Sequence, residues 1–376
     1  MIPGKRIWMV DTTLRDGEQA PGVVFHPLEK LEVAWGLSDC GIDEIEAGIP
    51  AMGDMACQEI VALSRLNLSC ILSCWCRAVK EDIILAARCS TPGIHISFPT
   101  SSILLKTFEK SENWVLDTLK DLVSFSKQYF DQVSVGAQDA TRTDTRFLHV
   151  FAATCHGLGI HRLRIADTVG LASPVQTMKM IQDLIAAVPG LALEFHGHND
   201  LGMATANAVT AVDAGAHSLS VTINGLGERA GNAPLEEVAM ALFGLGPRQS
   251  PIRLKHLDAL SRMTARYAGQ PIPPAKPIVG DRIFSHESGI HCAGLLKNPS
   301  SYQPFDPKTL GRPEASLVLG SHSGTAMISH FLEKKGIFVD KATAGRLLDQ
   351  VRQEAAARNR PVTAKRLEAI YQDMTL

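Results

Sequence analysis

The chain has 376 residues, of which 45% are hydrophobic and 20% charged, the ordinary composition of a globular protein. Its formal charge of −2 gives no whole-molecule field that would favour nucleic acid or an anionic membrane surface. The first residues lack the apolar stretch of a secretory signal, and no run of about 18 apolar residues occurs, which excludes a membrane span. We therefore expect a cytoplasmic protein without nucleic-acid or membrane partners.

Short apolar runs alternate with longer segments of helical spacing over the first two-thirds of the chain. Each run is bounded by Gly, Asp or Pro, as expected of strands that are buried on both faces of a parallel sheet. We predict strands at Ile7–Thr12, Glu44–Gly48, Cys70–Cys76, Ile94–Phe98, Gln132–Val135, Leu163–Asp167, Leu191–His198 and Leu219–Ile223. Between them, Ser173-Pro174 supplies a cap and a first-turn proline for one helix. Eight such repeats predict an α/β protein with a closed (α/β)8 TIM barrel, and a doubly wound open sheet is the alternative.

The barrel pattern stops near Gly246, and four prolines follow within residues 270–277. That density of proline neither continues a helix nor pairs in a central strand. We predict three parts, which are a catalytic barrel over 1–255, a small mixed linker subdomain over 256–325 and a C-terminal helical subdomain over 326–376. The last part carries Leu347, Leu348 and Val351 on one apolar helix face.

Eight cysteines are spread along the chain, which indicates reduced thiols rather than a disulfide framework. Cys70, Cys74 and Cys76 form one local cluster. Its spacing lacks a second ligand pair and lies within an apolar run, so buried strand thiols are favoured over a structural zinc site.

The strongest local signal for chemistry is His196-Gly197-His198. Residues two apart on a strand point to the same side, so both imidazoles aim at the C-terminal end of the seventh strand, where barrel enzymes place their sites. Two imidazoles suit a metal centre once oxygen ligands join them. The alternative is a pair of histidines that are hydrogen-bonded to loops.

Two more loops at the same end of the barrel carry polar side chains. After the first strand, Asp16 offers a hard oxygen ligand and Arg15 a fixed cation for a developing oxyanion, although a solvated surface pair is the alternative. After the eighth strand, the glycines within 225–231 let the backbone pass close to a ligand, and Asn232 could supply another oxygen.

At these residues the sequence resembles a known family. Residues 14–19 (Leu-Arg-Asp-Gly-Glu-Gln) are similar to the first motif of the acyl-CoA-condensing metallo-barrels, which are the 2-isopropylmalate, homocitrate and citramalate synthases. Residues 196–202, continuing through Ala206-Asn207 to 225–232, resemble the second motif. The likeness extends through 289–291 and Tyr302, and so covers nearly the whole chain.

The resemblance implies a divalent metal site for Mg²⁺, Mn²⁺ or Zn²⁺. Its ligands would be Asp16, His196, His198 and Asn232.

The resemblance also implies substrate contacts at the barrel mouth. Arg15 would hold the keto oxygen of a 2-oxo acid and Thr168 its carboxylate, while Gln19 and His95 would line the substrate pocket. Judged from its own residue type, His95 is more typical of a core histidine.

In this family the post-barrel segment completes the site of the partner subunit, which implies a homodimer with shared active sites. His291 and Tyr302 would supply that part, with His291 as the base that removes a proton from the methyl group of acetyl-CoA. From the residues alone, His291 could equally pack in a Gly-rich turn.

One position departs from the family pattern. Where the family has Glu-Asp after the fifth strand, this chain has Gln138-Asp139. Glutamine forms hydrogen bonds but carries no proton at neutral pH. If position 138 assists catalysis, then either the enzyme is slowed, or Asp139 or a water takes over the role.

Trp75-Cys76-Arg77, residues 285–291 and the compact ending most resemble the homocitrate synthases of nitrogen-fixing prokaryotes. That likeness implies acetyl-CoA and 2-oxoglutarate as substrates, and homocitrate as a ligand for the nitrogenase iron–molybdenum cofactor. Arg77 would then meet the distal carboxylate of 2-oxoglutarate. The alternatives are a 2-isopropylmalate or citramalate synthase using 2-oxoisovalerate or pyruvate, a lyase on the same barrel, and a catalytically silent binding protein.

Overall fold

The computed structural model describes residues 6–245 and 250–375. Contacts divide the chain into two compact units, one that ends at Ile272 and one that begins at Pro273. The predicted end of the barrel pattern at Gly246 lies outside the described residues. The three-part division of the chain remains a prediction.

Eight parallel strands form a closed barrel in chain order, and β8 pairs with β1 to close it. The strands are β1 (Trp8–Asp11), β2 (Glu44–Gly48), β3 (Ile71–Arg77), β4 (Gly93–Pro99), β5 (Gln132–Gln138), β6 (Arg162–Asp167), β7 (Leu193–Gly197) and β8 (Ser218–Val221). Every predicted run overlaps one of these strands. The TIM barrel is therefore confirmed, and the open sheet is excluded.

Helices follow the strands and cover the outside of the barrel. They are α1 (Pro27–Cys40), α2 (Asp54–Ser64), α3 (Lys80–Ala87), α4 (Ser102–Thr107), α5 (Glu112–Ser126), α6 (Thr145–Gly157), α7 (Pro174–Ala187), α8 (Ala204–Asp213), α9 (Leu235–Gly244) and α10 (Leu257–Tyr267). The predicted cap of α7 is present, since the Ser173 side chain accepts from the backbone N–H of Gln176 and Pro174 occupies the first helical position.

The cysteines are all free thiols. Cys74 and Cys76 are buried on β3, where the Cys74 sulfur lies 3.4 Å from Thr91 Oγ1 and the Cys76 thiol donates to the Asp82 carbonyl oxygen at 3.6 Å. Burial raises the pKa of Cys76 well above its usual value.

The second unit contains two short parallel strands and four helices with their own core. They are β9 (Ser285–His286), α11 (Gly289–Lys297), β10 (Ser316–Leu317), α12 (Thr325–Glu333), α13 (Lys341–Arg358) and α14 (Ala364–Thr375). The predicted apolar face of α13 is confirmed, because Leu347, Leu348 and Val351 are buried in that core. Across both units, no described helix is long and apolar enough to cross a membrane.

Candidate active site at the barrel mouth

Three side chains, one from the loop after β1 and two from the end of β7, converge at the C-terminal end of the barrel. Asp16 Oδ2 lies 3.6 Å from His196 Nε2 and 3.9 Å from His198 Nε2, and the two Nε2 atoms are 3.3 Å apart. The His196 ring is fixed by a 3.0 Å contact between its Nδ1 and Ser220 Oγ on β8. Among the described residues, these three are the group whose His, Cys, Asp or Glu atoms lie close enough together to hold one metal ion.

Asn232 joins the same cluster through a loop that glycine makes possible. Its Nδ2 donates to Asp16 Oδ1 at 2.9 Å and to the Leu226 carbonyl oxygen at 3.0 Å. Gly227 and Gly231 have φ of +156° and +84°, and a Cβ on Gly227 would lie 2.1 Å from Asn232 Nδ2. The predicted close approach of this backbone to the site is thus present.

The donor set fits a divalent metal. Burial alone would raise the pKa of Asp16, but the Arg15 guanidinium beside it and the hydrogen bond from Asn232 help to lower that pKa to about 2. Burial lowers the pKa of His196 and of His198, so both imidazoles are neutral and offer lone pairs. Asn232 Oδ1 is buried, and no described residue hydrogen-bonds to it, which leaves a further oxygen donor for an ion.

Arg15 is held rigidly beside Asp16. Its Nε and NH2 lie 2.9 and 2.8 Å from Glu46 Oε2, and its NH1 donates to Asp16 Oδ2 at 2.6 Å. Thr12 Oγ1 also donates to Glu46 Oε2, at 2.6 Å, and the guanidinium lies over the Trp75 ring. These contacts use three of the five guanidinium N–H donors, so one hydrogen remains on each terminal nitrogen for an oxygen of a ligand.

A buried ion network continues from Glu46 down the inside of the barrel. Arg164 NH2 lies 2.7 Å from Glu46 Oε1, and its Nε donates to Glu194. Glu194 also accepts from Arg162 Nε, and Arg162 NH2 donates to Glu44 Oε1 at 2.8 Å. Positive and negative groups therefore alternate from Glu44 up to Arg15, which lets these charges remain ionised away from water.

Sequence reasoning missed this network because the strand runs were interpreted as apolar. The available signal was the period-two spacing of like charges, with Glu44 and Glu46 in β2 and Arg162 and Arg164 in β6. Residues two apart on a strand share a face, and opposite charges on two strands of one barrel indicate pairing inside it.

His95 lies on β4 just below the mouth and is buried. Ser134 Oγ donates to the Ile94 carbonyl oxygen at 3.2 Å, so it must accept from His95 Nδ1, 2.9 Å away. The network thus assigns the proton to Nδ1 and leaves a lone pair on Nε2, which lies over Gly136, where a Cβ would be 2.6 Å away. Burial holds the pKa of His95 well below its usual value, so the ring is a neutral hydrogen-bond acceptor.

Gln138 and Thr168 lie at the ends of β5 and β6, with Asp139 between them. Asp139 is fully buried, accepts from Ser101 Oγ at 2.5 Å and from Arg142 Nε at 2.8 and 3.0 Å, and donates its backbone N–H to Thr168 Oγ1 at 2.8 Å. Its carboxylate is committed to holding the loop, so it does not stand in for the missing glutamate at position 138. The Thr168 hydroxyl keeps its hydrogen to donate to a ligand.

Gln19 and Arg77 are the two other side chains that were expected to contact the substrate. Gln19 is exposed and lines, with Arg15, a cavity of about 230 Å³ beside β2. Arg77 forms a two-point ion pair with Asp82, at 2.9 and 2.8 Å. The expectation that Arg77 meets a distal substrate carboxylate is therefore not supported, because its guanidinium is already paired with the Asp82 carboxylate.

His291 and Tyr302 belong to the second unit. His291 lies in the first turn of α11, not in an irregular glycine-rich turn, and its ring stacks on Tyr302 with centroids 4.1 Å apart. A Cβ on Gly294 would lie 2.7 Å from the Tyr302 ring, so glycine permits this stack. The structure thus brings the two post-barrel residues together.

Comparison with known proteins extends over both units. A family model described as HMGL-like matches residues 6–264, and one described as homocitrate synthase post-HMGL domain-like matches residues 278–359. The 2-isopropylmalate synthase 2 of Caldanaerobacter subterraneus subsp. tengcongensis is 43% identical, over 98% of this chain and 96% of its own length. Homocitrate synthase 1 of Nostoc sp. is 42% identical, over 96% of each chain.

Among solved structures, the hydroxymethylglutaryl-CoA lyase from Pseudomonas aeruginosa has a TM-score of 0.65 at 18% identity. The match covers 72% of this chain and 96% of that one, which indicates a shared barrel fold.

Proposed function

The chain belongs to the HMGL-like family of 2-isopropylmalate and homocitrate synthases, and from this premise we propose that it joins acetyl-CoA to a 2-oxo acid in a metal-dependent, Claisen-type condensation. The 2-oxo acid is 2-oxoglutarate and the product is homocitrate, which would serve the nitrogenase iron–molybdenum cofactor. The convergence of Asp16, His196, His198 and the unpartnered Asn232 oxygen beside a fixed Arg15 carries the proposal.

The four residues Asp16, His196, His198 and Asn232 would hold the metal. Bound there, a divalent ion supplies Lewis acidity to the carbonyl of the 2-oxo acid. Every one of these side chains is buried, so the site offers a low-dielectric environment in which charge interactions are strong.

The residues of this chain bind and orient the 2-oxo acid around that position. The two remaining N–H donors of Arg15 bind the keto oxygen and stabilise the negative charge that develops on it as the new carbon–carbon bond forms. The Thr168 hydroxyl, already accepting from the Asp139 N–H, donates to the substrate carboxylate. Because Glu46 and Asp16 fix Arg15 before substrate arrives, little reorganisation is needed in the transition state.

Proton removal from the acetyl methyl group is assigned to His291 of the partner subunit, with Tyr302 stacked on its ring to orient it. The attacking enolate and the keto carbon then form one bond, and hydrolysis of the thioester releases CoA. This part of the proposal requires a homodimer whose second units complete the partner's barrel.

The choice of 2-oxoglutarate rests on the likeness to homocitrate synthases. Arg77 adds no support to this choice, because its guanidinium is already paired with Asp82. The second candidate is a 2-isopropylmalate synthase, which the 43% identical relative favours.

One assay separates these candidates. CoA thiol release is followed with acetyl-CoA, saturating Mg²⁺ or Mn²⁺, and a panel of 2-oxoglutarate, 2-oxoisovalerate and pyruvate, with products identified by mass spectrometry. We expect the highest kcat/KM with 2-oxoglutarate and a homocitrate product. Preference for 2-oxoisovalerate would transfer the assignment to 2-isopropylmalate synthase, and absence of thiol release with every 2-oxo acid and metal would reject the reaction class and favour a silent binding protein.

A further inference from the structure

One arginine ties together three loops at the barrel mouth. Arg229, in the loop after β8, forms a two-point ion pair with Asp200, in the loop after β7, with its Nε 2.8 Å from Oδ1 and its NH2 2.9 Å from Oδ2. The same NH2 donates to the carbonyl oxygen of Thr168, just after β6, at 2.8 Å. We call these three residues the Arg229 clamp. Arg229 and Asp200 belong to the second sequence motif, but the proposed reaction gives them no role.

The backbone of these loops is shaped to bring the clamp together. Arg229 has a φ of +56°, in the left-handed region that costs free energy in residues other than glycine. Such a conformation persists only where surrounding contacts hold it. Gly170, two residues after Thr168, lies so close to Asp200 that a Cβ there would be 2.6 Å from its Oδ2. The loops after β6 and β7 are therefore in direct contact, and Arg229 joins the third loop to both.

Thr168 depends on loop contacts for its position. The pairing of β6 with β7 ends at Asp167, so Thr168 lies one residue beyond the last paired position of the sheet. Its hydroxyl oxygen accepts from the Asp139 N–H at 2.8 Å, and its carbonyl oxygen accepts from Arg229. The residue is thus held through its side chain by the loop after β5 and through its main chain by the loop after β8. Both contacts fix where the hydroxyl lies.

The clamp is suited to position a residue rather than to stabilise the fold. The side chains of Arg229 and Asp200 are 41% and 22% exposed, and an ion pair this accessible to water contributes little to the free energy of unfolding. Its geometry is nonetheless specific, because a planar guanidinium presents two N–H groups to one carboxylate and keeps a further N–H for a carbonyl oxygen.

We propose that Arg229 is a positioning residue for the substrate: together with Asp200, it fixes Thr168 so that the Thr168 hydroxyl meets the carboxylate of the 2-oxo acid. Loss of the clamp frees the Thr168 main chain, and the hydroxyl then occupies the binding position for only part of the time. The apparent affinity for a ligand falls in proportion to that fraction. The inference rests on the proposed use of a 2-oxo acid, and it adds a residue that acts on the substrate through another.

The first test measures binding without turnover. 2-Oxoglutarate, 2-oxoisovalerate and pyruvate are each titrated by isothermal calorimetry into the Mg²⁺-loaded enzyme without acetyl-CoA, since all of them carry the same carboxylate. We expect Arg229→Ala to raise the Kd of the tightest ligand about tenfold, with the Kd for Mg²⁺ unchanged. Arg229→Lys should recover part of the loss, because an ammonium donates to the Thr168 carbonyl oxygen but does not form the two-point contact with Asp200.

Arg262→Ala is the matched control. Arg262 forms the same kind of two-point ion pair with Asp258 within α10, at 2.8 and 3.2 Å, and these side chains are 37% and 21% exposed. Removing either arginine should change Tm by a similar small amount, whereas only Arg229→Ala should change the Kd of the 2-oxo acid. Equal shifts of that Kd in the two variants, or a wild-type Kd in Arg229→Ala, would overturn the inference.

The second test asks whether Arg229 acts through Thr168. In a double-mutant cycle, Thr168→Ala and Arg229→Ala are measured alone and together. If the clamp places the hydroxyl, adding Arg229→Ala to Thr168→Ala should raise the Kd no further. A further rise equal to that in the wild-type background would show that Arg229 acts on the substrate directly, and would overturn the positioning role. Failure of the wild type to bind any of the 2-oxo acids would instead reject the proposed function, and this inference with it.

Discussion

Replacing Glu46 with glutamine tests how the barrel interior holds Arg15. The Glu46 carboxylate is fully buried, accepts hydrogen bonds from Thr12 and Arg15, and forms an ion pair with Arg164. Two opposite charges about 4 Å apart interact by roughly 4 kcal/mol at an effective dielectric constant of about 20. Glutamine keeps the shape and one acceptor oxygen but removes the charge from between two guanidiniums. Since breaking a buried pair costs about 3–5 kcal/mol, we expect the free energy of unfolding in urea at pH 7 to fall by about that amount.

The pH dependence of the free energy of unfolding tests this prediction further. Burial alone would raise the pKa of Glu46, but Arg15 and Arg164 outweigh it and hold that pKa well below its usual value of 4.5. A carboxyl group whose pKa is lowered by folding stabilises the fold fully at pH values above its unfolded-state pKa. This contribution is lost as the pH falls through the folded-state pKa. The difference in unfolding free energy between wild type and Glu46→Gln should therefore narrow as pH drops below 4.5.

Glu194→Gln is the matched control, because Glu194 pairs with Arg162 and Arg164 but not with Arg15. Both variants should be destabilised. Under conditions where circular dichroism shows both folded, Glu46→Gln should lose more kcat/KM for the 2-oxo acid than Glu194→Gln does. Equal kinetic losses, or a stability gap that does not change with pH, would refute the idea that Glu46 positions Arg15.

The remaining predictions concern the metal, the dimer, the raised pKa of a buried carboxyl group, and Gln138. A chelator should abolish thiol release and Mg²⁺ or Mn²⁺ restore it, while His196→Ala should weaken metal binding by calorimetry with little change in Tm; activity in metal-free protein would contradict the site. Mixing inactive His291→Ala with inactive Arg15→Ala protomers should restore activity through hybrid dimers, and no recovery after confirmed subunit exchange would place the site within one chain. Burial raises the pKa of Asp11 to about 7, so the wild type loses stability as the pH rises from about 4 to 7. Asp11→Asn should therefore have the higher free energy of unfolding at pH 8. In urea titrations, its difference from the wild type should close towards pH 4. Gln138→Glu should raise turnover, because it places a carboxylate at the end of β5.

The barrel was predictable because residues that favour turns mark the ends of most of its strands. Parallel strands covered by helices are short apolar runs, and five of the eight strands here end in Gly, Asp or Pro, so the runs could be counted from the sequence. His196 and His198 converge because a strand repeats every two residues, which is a local rule. Their meeting with Asp16, 180 residues away in the chain, follows only once the barrel closes between β8 and β1.

The charges inside the barrel and the course of the second unit were harder to predict. Glu194 lies in an apolar run with no local partner, and its meaning depends on Arg162 and Arg164 from another strand. Asp139 looked like a spare catalytic carboxylate because its neighbours in space, Ser101 among them, are distant in sequence. Helix α11 was missed since its glycines and histidine are weak helix formers, and tertiary packing overrides that propensity.

Gln138→Glu restores the carboxylate that the family carries after the fifth strand. Gln138 is half-buried at the end of β5, and the Asp139 carboxylate beside it is bound to Ser101 and Arg142, so no neighbouring acid in that loop replaces the missing one. General acid–base assistance contributes about 10²–10⁴-fold in rate, and glutamate differs from glutamine here only in charge and proton. We expect turnover on 2-oxoglutarate to rise substantially at saturating metal, with metal affinity nearly unchanged because Gln138 is not one of the proposed ligands. Gln128→Glu adds the same charge at an exposed position just after α5, away from the mouth, and should not raise turnover. Unchanged or lower turnover in Gln138→Glu would mean that the added charge repels the anionic substrate and that the proton is handled elsewhere in this enzyme.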